Sequence, residues 1–262
     1  MTSLADHRYV FDNDNAHSDE QHRCLAAAYD PPTTAALAAT GVGPGWRCLE
    51  VGAGGGSVAH WLAERVAPGG AVLATDVNPR HVRAAPGLTV ARHDVVRDPL
   101  PENEFDLIHA RLVLLHLPER LAVLDRLVRA LKPGGWLQLD EFDISYGPAL
   151  AGPDSALYER FLAAKAELMR AAGALGTWGR SAGAAMTAAG LEAVDATPHV
   201  WTWDRDSPGL RLLVHHTRHL REKFLATGFT DAELARVRAV MGHPGFRACS
   251  CVFYTVRGRR PA

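Results

Sequence analysis

The sequence predicts an α/β protein built on a doubly wound, mainly parallel sheet. Three observations carry this. Short β-rich apolar runs alternate with helix-period stretches between Trp46 and Cys251, and the connections between them are rich in Gly, Pro and Asp. The first run, WRCLEV, also passes straight into a glycine knot, GAGGG, that opens a helix.

Taken in order, strands are expected at Trp46–Val51, Ala71–Val77, Leu88–Asp94, Phe105–Arg111 and Trp136–Phe142. Helices are expected between them at Val58–Arg65, Pro79–Ala84 and Pro118–Leu131. Pro118 suits a first helical turn, where its missing N–H is harmless, and the KPGG at Lys132–Gly135 stops the helix behind it. Ahead of the sheet, Gln21–Ala28 and Pro31–Thr40 read as short helical pieces of an arm. Beyond the fifth strand come helices at Asp154–Ala172 and Arg180–Ala189 and a strand-like Glu192–Trp203. Helices at Ser207–Leu225 and Asp231–Met241 precede a last strand at Ser250–Arg257. The expected division is an arm over 1–44 that covers the site, a cofactor-binding core over 45–144, and a remainder over 145–262 that completes the sheet and adds helical cap insertions, all in one domain.

Composition narrows the function. Across 262 residues, 47% are apolar and 22% charged, the balance of a soluble globular chain, and no apolar run reaches membrane-spanning length. A formal charge of −1, with only a small RGRR cluster near the C-terminus, argues against nucleic acid as partner. The polar, acidic N-terminus lacks a leader pattern, so a cytoplasmic protein is expected. Cys24, Cys48, Cys249 and Cys251 show no metal-ligand spacing and read as reduced thiols. Only three of the 28 basic residues are lysine, and alanine is abundant, as in high-GC bacterial coding sequences.

The glycine knot carries the chemistry. Glycines at a strand-to-helix turn admit a ligand close to the backbone, at a helix N-terminus with free N–H groups. A dinucleotide fingerprint places its last two glycines three apart, whereas Gly54 and Gly56 are two apart and Ser57 takes the expected place. Glu50, just ahead, would repel a pyrophosphate and accept from an ammonium group. Asp76, at the end of the second strand, stands where an acid can take ribose hydroxyls. Asp94, after the third, can accept from an adenine amine while Val77 and Val95 pack on the purine. An amino acid, a ribose and an adenine in one ligand describe S-adenosyl-L-methionine.

The series E50-V-G-A-G-G-G56, Asp76, H93-D94-V95, FDLIHARLVLLHLPER and LKPGGWL resembles the motif order of class I S-adenosylmethionine-dependent methyltransferases of the small-molecule type, closely over Trp46–Phe142. The resemblance implies a Rossmann-like sheet of seven strands with the last antiparallel. It also implies cofactor-binding roles for Glu50, Gly52, Gly54, Gly56, Asp76, Val77, Asp94 and Val95, with Ala110 and Arg111 near the methionine moiety. S-adenosyl-L-homocysteine would be the product. A cofactor-binding protein that transfers no methyl group, and a nicotinamide-dependent dehydrogenase, stand as alternatives.

In-line methyl transfer needs placement more than a base. Where a proton must leave, His116 is the candidate, as a histidine tuned near neutrality in the loop after the fourth strand. His215 and His219, four apart on one helix, are read as a substrate-facing wall rather than a zinc pair, and Tyr9, Phe11, Trp201 and Trp203 as aromatic walls. The DEFD run at Asp140–Asp143 invites a magnesium site, but the fourth strand ends in His109-Ala110-Arg111 without the further acid this needs, so no metal is expected. No Asn/Asp-Pro-Pro-aromatic turn follows that strand, which sets nucleic acid and protein amides behind a small organic acceptor from bacterial specialised metabolism, with a quinone- or sterol-like acceptor as the alternative. The acceptor atom and oligomeric state stay open.

Overall fold

The computed structural model describes residues 18–262. Tyr9 and Phe11 therefore lie outside the described residues.

Helix α1 (Ser18–Ala38) leads into β1 (Arg47–Val51), α2 (Ser57–Val66), β2 (Ala71–Asp76), β3 (Leu88–Arg92) and β4 (Phe105–Arg111). A single 3₁₀ turn, Leu114–His116, then precedes α3 (Arg120–Ala130) and the long β5 (Leu131–Asp143). Next come β6 (Ala149–Ala151), α4 (Ser155–Ala171), α5 (Trp178–Ala188), β7 (Glu192–His199) and β8 (Thr202–Trp203). The chain ends with α6 (Pro208–His219), α7 (Arg221–Ala226), α8 (Asp231–Met241), β9 (Arg247–Cys249) and β10 (Val252–Arg259).

Seven strands form one sheet in the order β3-β2-β1-β4-β5-β10-β7. The pairs from β3 to β5 are parallel, and β10 runs antiparallel to both β5 and β7. The last strand is thus the reversed one, as expected. Alternating side chains supply two cores: Cys48 and Leu107 pack with Val58 and Leu62 of α2, while Leu49, Val51, Ile108 and Ala110 pack with Leu124 and Leu127 of α3.

The sequence reading needs four corrections. No helix forms at Pro79–Ala84; residues 77–87 make a turn and an isolated bridge, because Asp76 Oδ1 turns the chain at once by accepting from Asn78 N at 2.9 Å. The two helical pieces of the arm are one helix, α1, which runs through Pro31 and Pro32. Its side chains anchor it to the sheet at that point, and tertiary contacts outweigh the local cost of proline. The strand at Glu192–Trp203 divides: β7 stays in the large sheet, while β8 joins β9 and β6 in a three-stranded sheet too short to leave a period-2 signal. The helix at Ser207–Leu225 breaks at Leu220 into α6 and α7.

Helix α8 packs against both α4 and α6, and α6 packs along α1. They form a cap beside the carboxyl ends of the parallel strands, where ligands bind in open α/β sheets.

Candidate active site

A cavity of about 910 Å³ lies between the strand ends and the cap. Its sheet side is lined by Glu50, Gly52 and Gly54 from β1 and the following turn, and by Asp76 and Val77 at the end of β2. Asp94 and Val95 after β3, Arg111 at the end of β4 and His116 beyond it complete that side. Gly56 and Ala110, expected beside them, do not reach it: Gly56 faces Val82 and His60, and Ala110 is fully buried in the core.

The turn after β1 is built on left-handed backbone. Gly52 has φ 66° and Gly54 φ 52°, and a Cβ on Gly52 would fall 2.4 Å from Val113 Cγ2. Asp76 holds the turn, with Oδ2 accepting from Gly54 N at 3.0 Å. Each oxygen of Asp76 thus has one backbone donor and keeps the capacity to accept a further hydrogen bond. Val77 is 54% exposed, an apolar side chain left uncovered at the rim. Asp94 caps its own loop, accepting from Val96 N at 2.9 Å and facing Arg97 at 3.6 Å.

Glu50 has a partner that the sequence reading missed. His109 Nδ1 lies 2.6 Å from Glu50 Oε2, and His109 Nε2 lies 3.1 Å from Asp140 Oδ2. All three side chains are buried. Burial alone would lower the pKa of His109, but Glu50 and Asp140 outweigh it and raise the value to about 9. Thr33 of α1 donates to Asp140 Oδ2 at 2.5 Å, and Gln138 donates to Oδ1 at 3.1 Å. A second tie runs from Arg111 to Asp30 Oδ1 at 2.7 Å, an oxygen that also accepts from Ser57 at 3.1 Å. Helix α1 is thereby fastened over the strand ends, with His22 lying on the Gly54–Gly55 turn.

Residues 49–137 match the family model for a methyltransferase domain. That stretch, from β1 into β5, is about a third of the chain. Among curated proteins, methyltransferase str3 of Strobilurus tenacellus is 36% identical over 140 residues, which is 53% of this chain and 48% of that protein. A ubiquinone/menaquinone biosynthesis C-methyltransferase of Cupriavidus taiwanensis is 32% identical over 120 residues, 43% of this chain and 49% of its own. The chain thus matches about half the length of these relatives. In fold, it resembles phosphoethanolamine N-methyltransferase 2 of Haemonchus contortus, solved with phosphomonomethylethanolamine and S-adenosylhomocysteine. That likeness has a TM-score of 0.59 at 15% identity and covers 100% of this chain and 62% of that one.

The far side of the cavity differs from expectation. His215 and His219 do not line it; His216, one position along α6, does. His215 instead faces α1, its Nε2 3.6 Å from Glu20 Oε1. Glu20, Cys24 and His215 are the one trio of possible metal donors within 4.8 Å of each other among the described residues, and His219 is not part of it. Trp201 is likewise displaced: it stacks on His199 at 5.8 Å, while Trp203 lines the cavity. The face of α6 that meets the cavity is turned by one residue, about 100°, from the expected one, and the inward side of the strand changes because β7 and β8 belong to different sheets.

His116 lines the cavity, but not as a base tuned near neutrality. Burial, and then the charge of Lys165, push its pKa down to about 3. The DEFD carboxylates are taken up by the protein: Glu141 accepts from Leu114 N at 2.9 Å and so supports the turn that carries His116, while Asp143 pairs with Arg180 at 2.5 Å. Tyr158, Lys165 and Met169 of α4 also line the cavity. The sequence held one signal for them, the apolar spacing Tyr158-Leu162-Met169, with nothing to say that this face meets a ligand.

Proposed function

We propose that this protein is an S-adenosyl-L-methionine-dependent methyltransferase acting on a small organic acceptor without a metal ion. The observation that carries this reading is that Glu50, Asp76 and Asp94, one acid at or just past the carboxyl end of each of three adjacent parallel strands, line the same cavity as the glycine turn, which continues into a capped chamber. The family match over residues 49–137 supports it.

The donor set fits the cofactor. Glu50 offers a carboxylate for an ammonium group, Asp76 two oxygens for ribose hydroxyls, and Val77 and Val95 an apolar rest for a purine. Bound there, S-adenosyl-L-methionine supplies a sulfonium methyl group as electrophile. The chain's own work is placement. Arg111 and Asp30 hold α1 as a cover that excludes water, and Glu141 fixes the turn from which His116 orients the acceptor. With its proton affinity suppressed, His116 acts as a neutral hydrogen-bonding group.

Among the described residues no helix is long and apolar enough to cross a membrane, which accords with a small acceptor met in solution. The role in bacterial specialised metabolism rests on the arginine- and alanine-rich composition and on the ample cap. A quinone-like acceptor is the second reading, favoured by the Cupriavidus relative.

Calorimetry with S-adenosylhomocysteine, followed by labelled methyl transfer to phenols, quinols, amines and carboxylates, tests the proposal. Saturable binding and a methylated product are expected. Folded protein that gives no heat with either form of the cofactor would remove the reading.

A further inference from the structure

Helix α4 presents a mixed stripe to the cavity. Tyr158, Leu162, Lys165, Ala166 and Met169 all line it, at the i, i+4, i+7, i+8, i+11 spacing of a single helical face. Most of that face is apolar, and so are Phe142, Ile144, Trp203, Leu212 and Leu213 around it. Two polar groups interrupt it, and both lack a mate. The Tyr158 side chain is fully buried, yet its hydroxyl has no hydrogen-bond partner among the described residues. Lys165 is one of only three lysines in the chain, and among the described residues no carboxylate pairs with it.

What Lys165 does face is a set of groups that cannot neutralise an ammonium: His116, His216 and the Cys251 thiol, all on the cavity wall. Burial lowers the pKa of Lys165 and raises that of Cys251 to about 12, so the thiol stays protonated and supplies no counter-charge. A half-buried ammonium and a fully buried hydroxyl without partners are costly, and a ligand that satisfies both recovers that cost. An anion is the complement of the first and an acceptor for the second.

We propose that the acceptor is an organic acid with a flat apolar body, that Lys165 binds its carboxylate, and that the Tyr158 hydroxyl donates a second hydrogen bond to it. This rests on the methyltransferase reading and names the substrate class of the same site. It also fits the state of the two histidines beside Lys165. His116 and His216 are both held far below neutrality, first by burial and then by Lys165. An acceptor that arrives as an anion has already lost its proton. Pairing it with Lys165 restores the ammonium's preference for the charged state, since a neighbouring opposite charge raises a lysine pKa.

The probes are 1-naphthoate and its neutral isostere methyl 1-naphthoate, titrated against the full chain by tryptophan fluorescence, with and without S-adenosylhomocysteine. Naphthoate is expected to bind at least tenfold more tightly than the ester. Lys165→Met should abolish that preference, Lys165→Arg should retain most of it, and Tyr158→Phe should weaken naphthoate severalfold while leaving the ester unchanged. Circular dichroism melts establish that each variant is folded. Equal affinity for acid and ester in the parent protein, no naphthoate binding at millimolar concentration, or a preference that survives Lys165→Met overturns the proposal; should Lys165→Met not fold, the acid–ester comparison and Lys165→Arg decide. Cofactor binding is measured separately by calorimetry, so loss of the methyltransferase reading and loss of the acid site give different results.

Discussion

His109 and Glu50 form a buried ion pair, with 2.6 Å between Nδ1 and Oε2 and almost no solvent at either side chain. Asp140 sits on the other ring nitrogen, so one imidazolium is shared by two carboxylates. Replacing His109 with Gln leaves both acids buried without their counter-charge, and removal of one partner from a buried pair costs about 3–5 kcal/mol. We expect His109→Gln to lower the denaturation midpoint accordingly. The double variant His109→Gln/Asp140→Asn, with one acid neutralised, should recover part of the loss, and a midpoint unchanged in the single variant would show that the pair contributes nothing.

The same pair sets a direction for stability against pH. The folded pKa of His109, about 9, lies above its usual 6.5, so its contribution is fully present below pH 6.5 and is lost as pH rises through 9. Burial raises Glu141 from 4.5 to about 8; its protonated form is the one the fold favours, so stability also falls as pH climbs between those values. Because His116 and His216 are held low by burial, they make stability rise with pH up to about 6.5, so thermal melts should decline only above that, from about pH 7 to 9. Glu141→Gln should flatten the lower part of that slope, and His109→Gln the upper part. A melting temperature that rises across this range contradicts both assignments.

How much of this was legible in the sequence depends on the range of the interaction. The glycine turn, Asp76 and Asp94 are set by local geometry, namely a strand that ends, a turn that needs positive φ, and an acid at the next strand end, and these the residues display directly. His109 was read only as the absence of an acid at the end of β4, because its two partners are 59 and 31 residues away. Lys165 and Tyr158 sit in a helix whose inward face is fixed by α8 and β6 rather than by its own periodicity. His216 in place of His215 is a rotation of one residue, the scale at which a helical wheel cannot decide. The single helix α1 through two prolines is the clearest case of long-range contact outweighing local preference: Asp30 and Thr33 flank them and both bind the sheet.

Those anchors make α1 a cover whose opening can be measured. Arg111 and Asp30 keep part of their surface in solvent, with side-chain exposures of 13% and 28%, so breaking the pair should cost only about 1 kcal/mol. Asp30→Asn is expected to leave the global melt nearly unchanged and to speed amide exchange along α1 severalfold. Dissociation of S-adenosylhomocysteine should quicken in parallel, since His22 of α1 lies on the glycine turn. If exchange in α1 stays at the parent rate, the tie does not hold the cover.

Gly52 offers a way to separate space from backbone strain. A methyl group there meets Val113 Cγ2 at 2.4 Å, and the φ of 66° penalises any L side chain besides. Gly52→Ala should therefore lose both a left-handed penalty of about 1–2 kcal/mol and the additional energy of the clash. Val113→Ala removes the clash and leaves the φ penalty, so the double variant should be more stable than the sum of the two single losses predicts. Val113 and Gly52 both line the cavity, so the displaced turn should also weaken S-adenosylhomocysteine binding in Gly52→Ala and regain part of it in the double variant. A double variant that is strictly additive in stability would mean that Val113 yields without cost, and that Gly52 is required for its backbone angle alone.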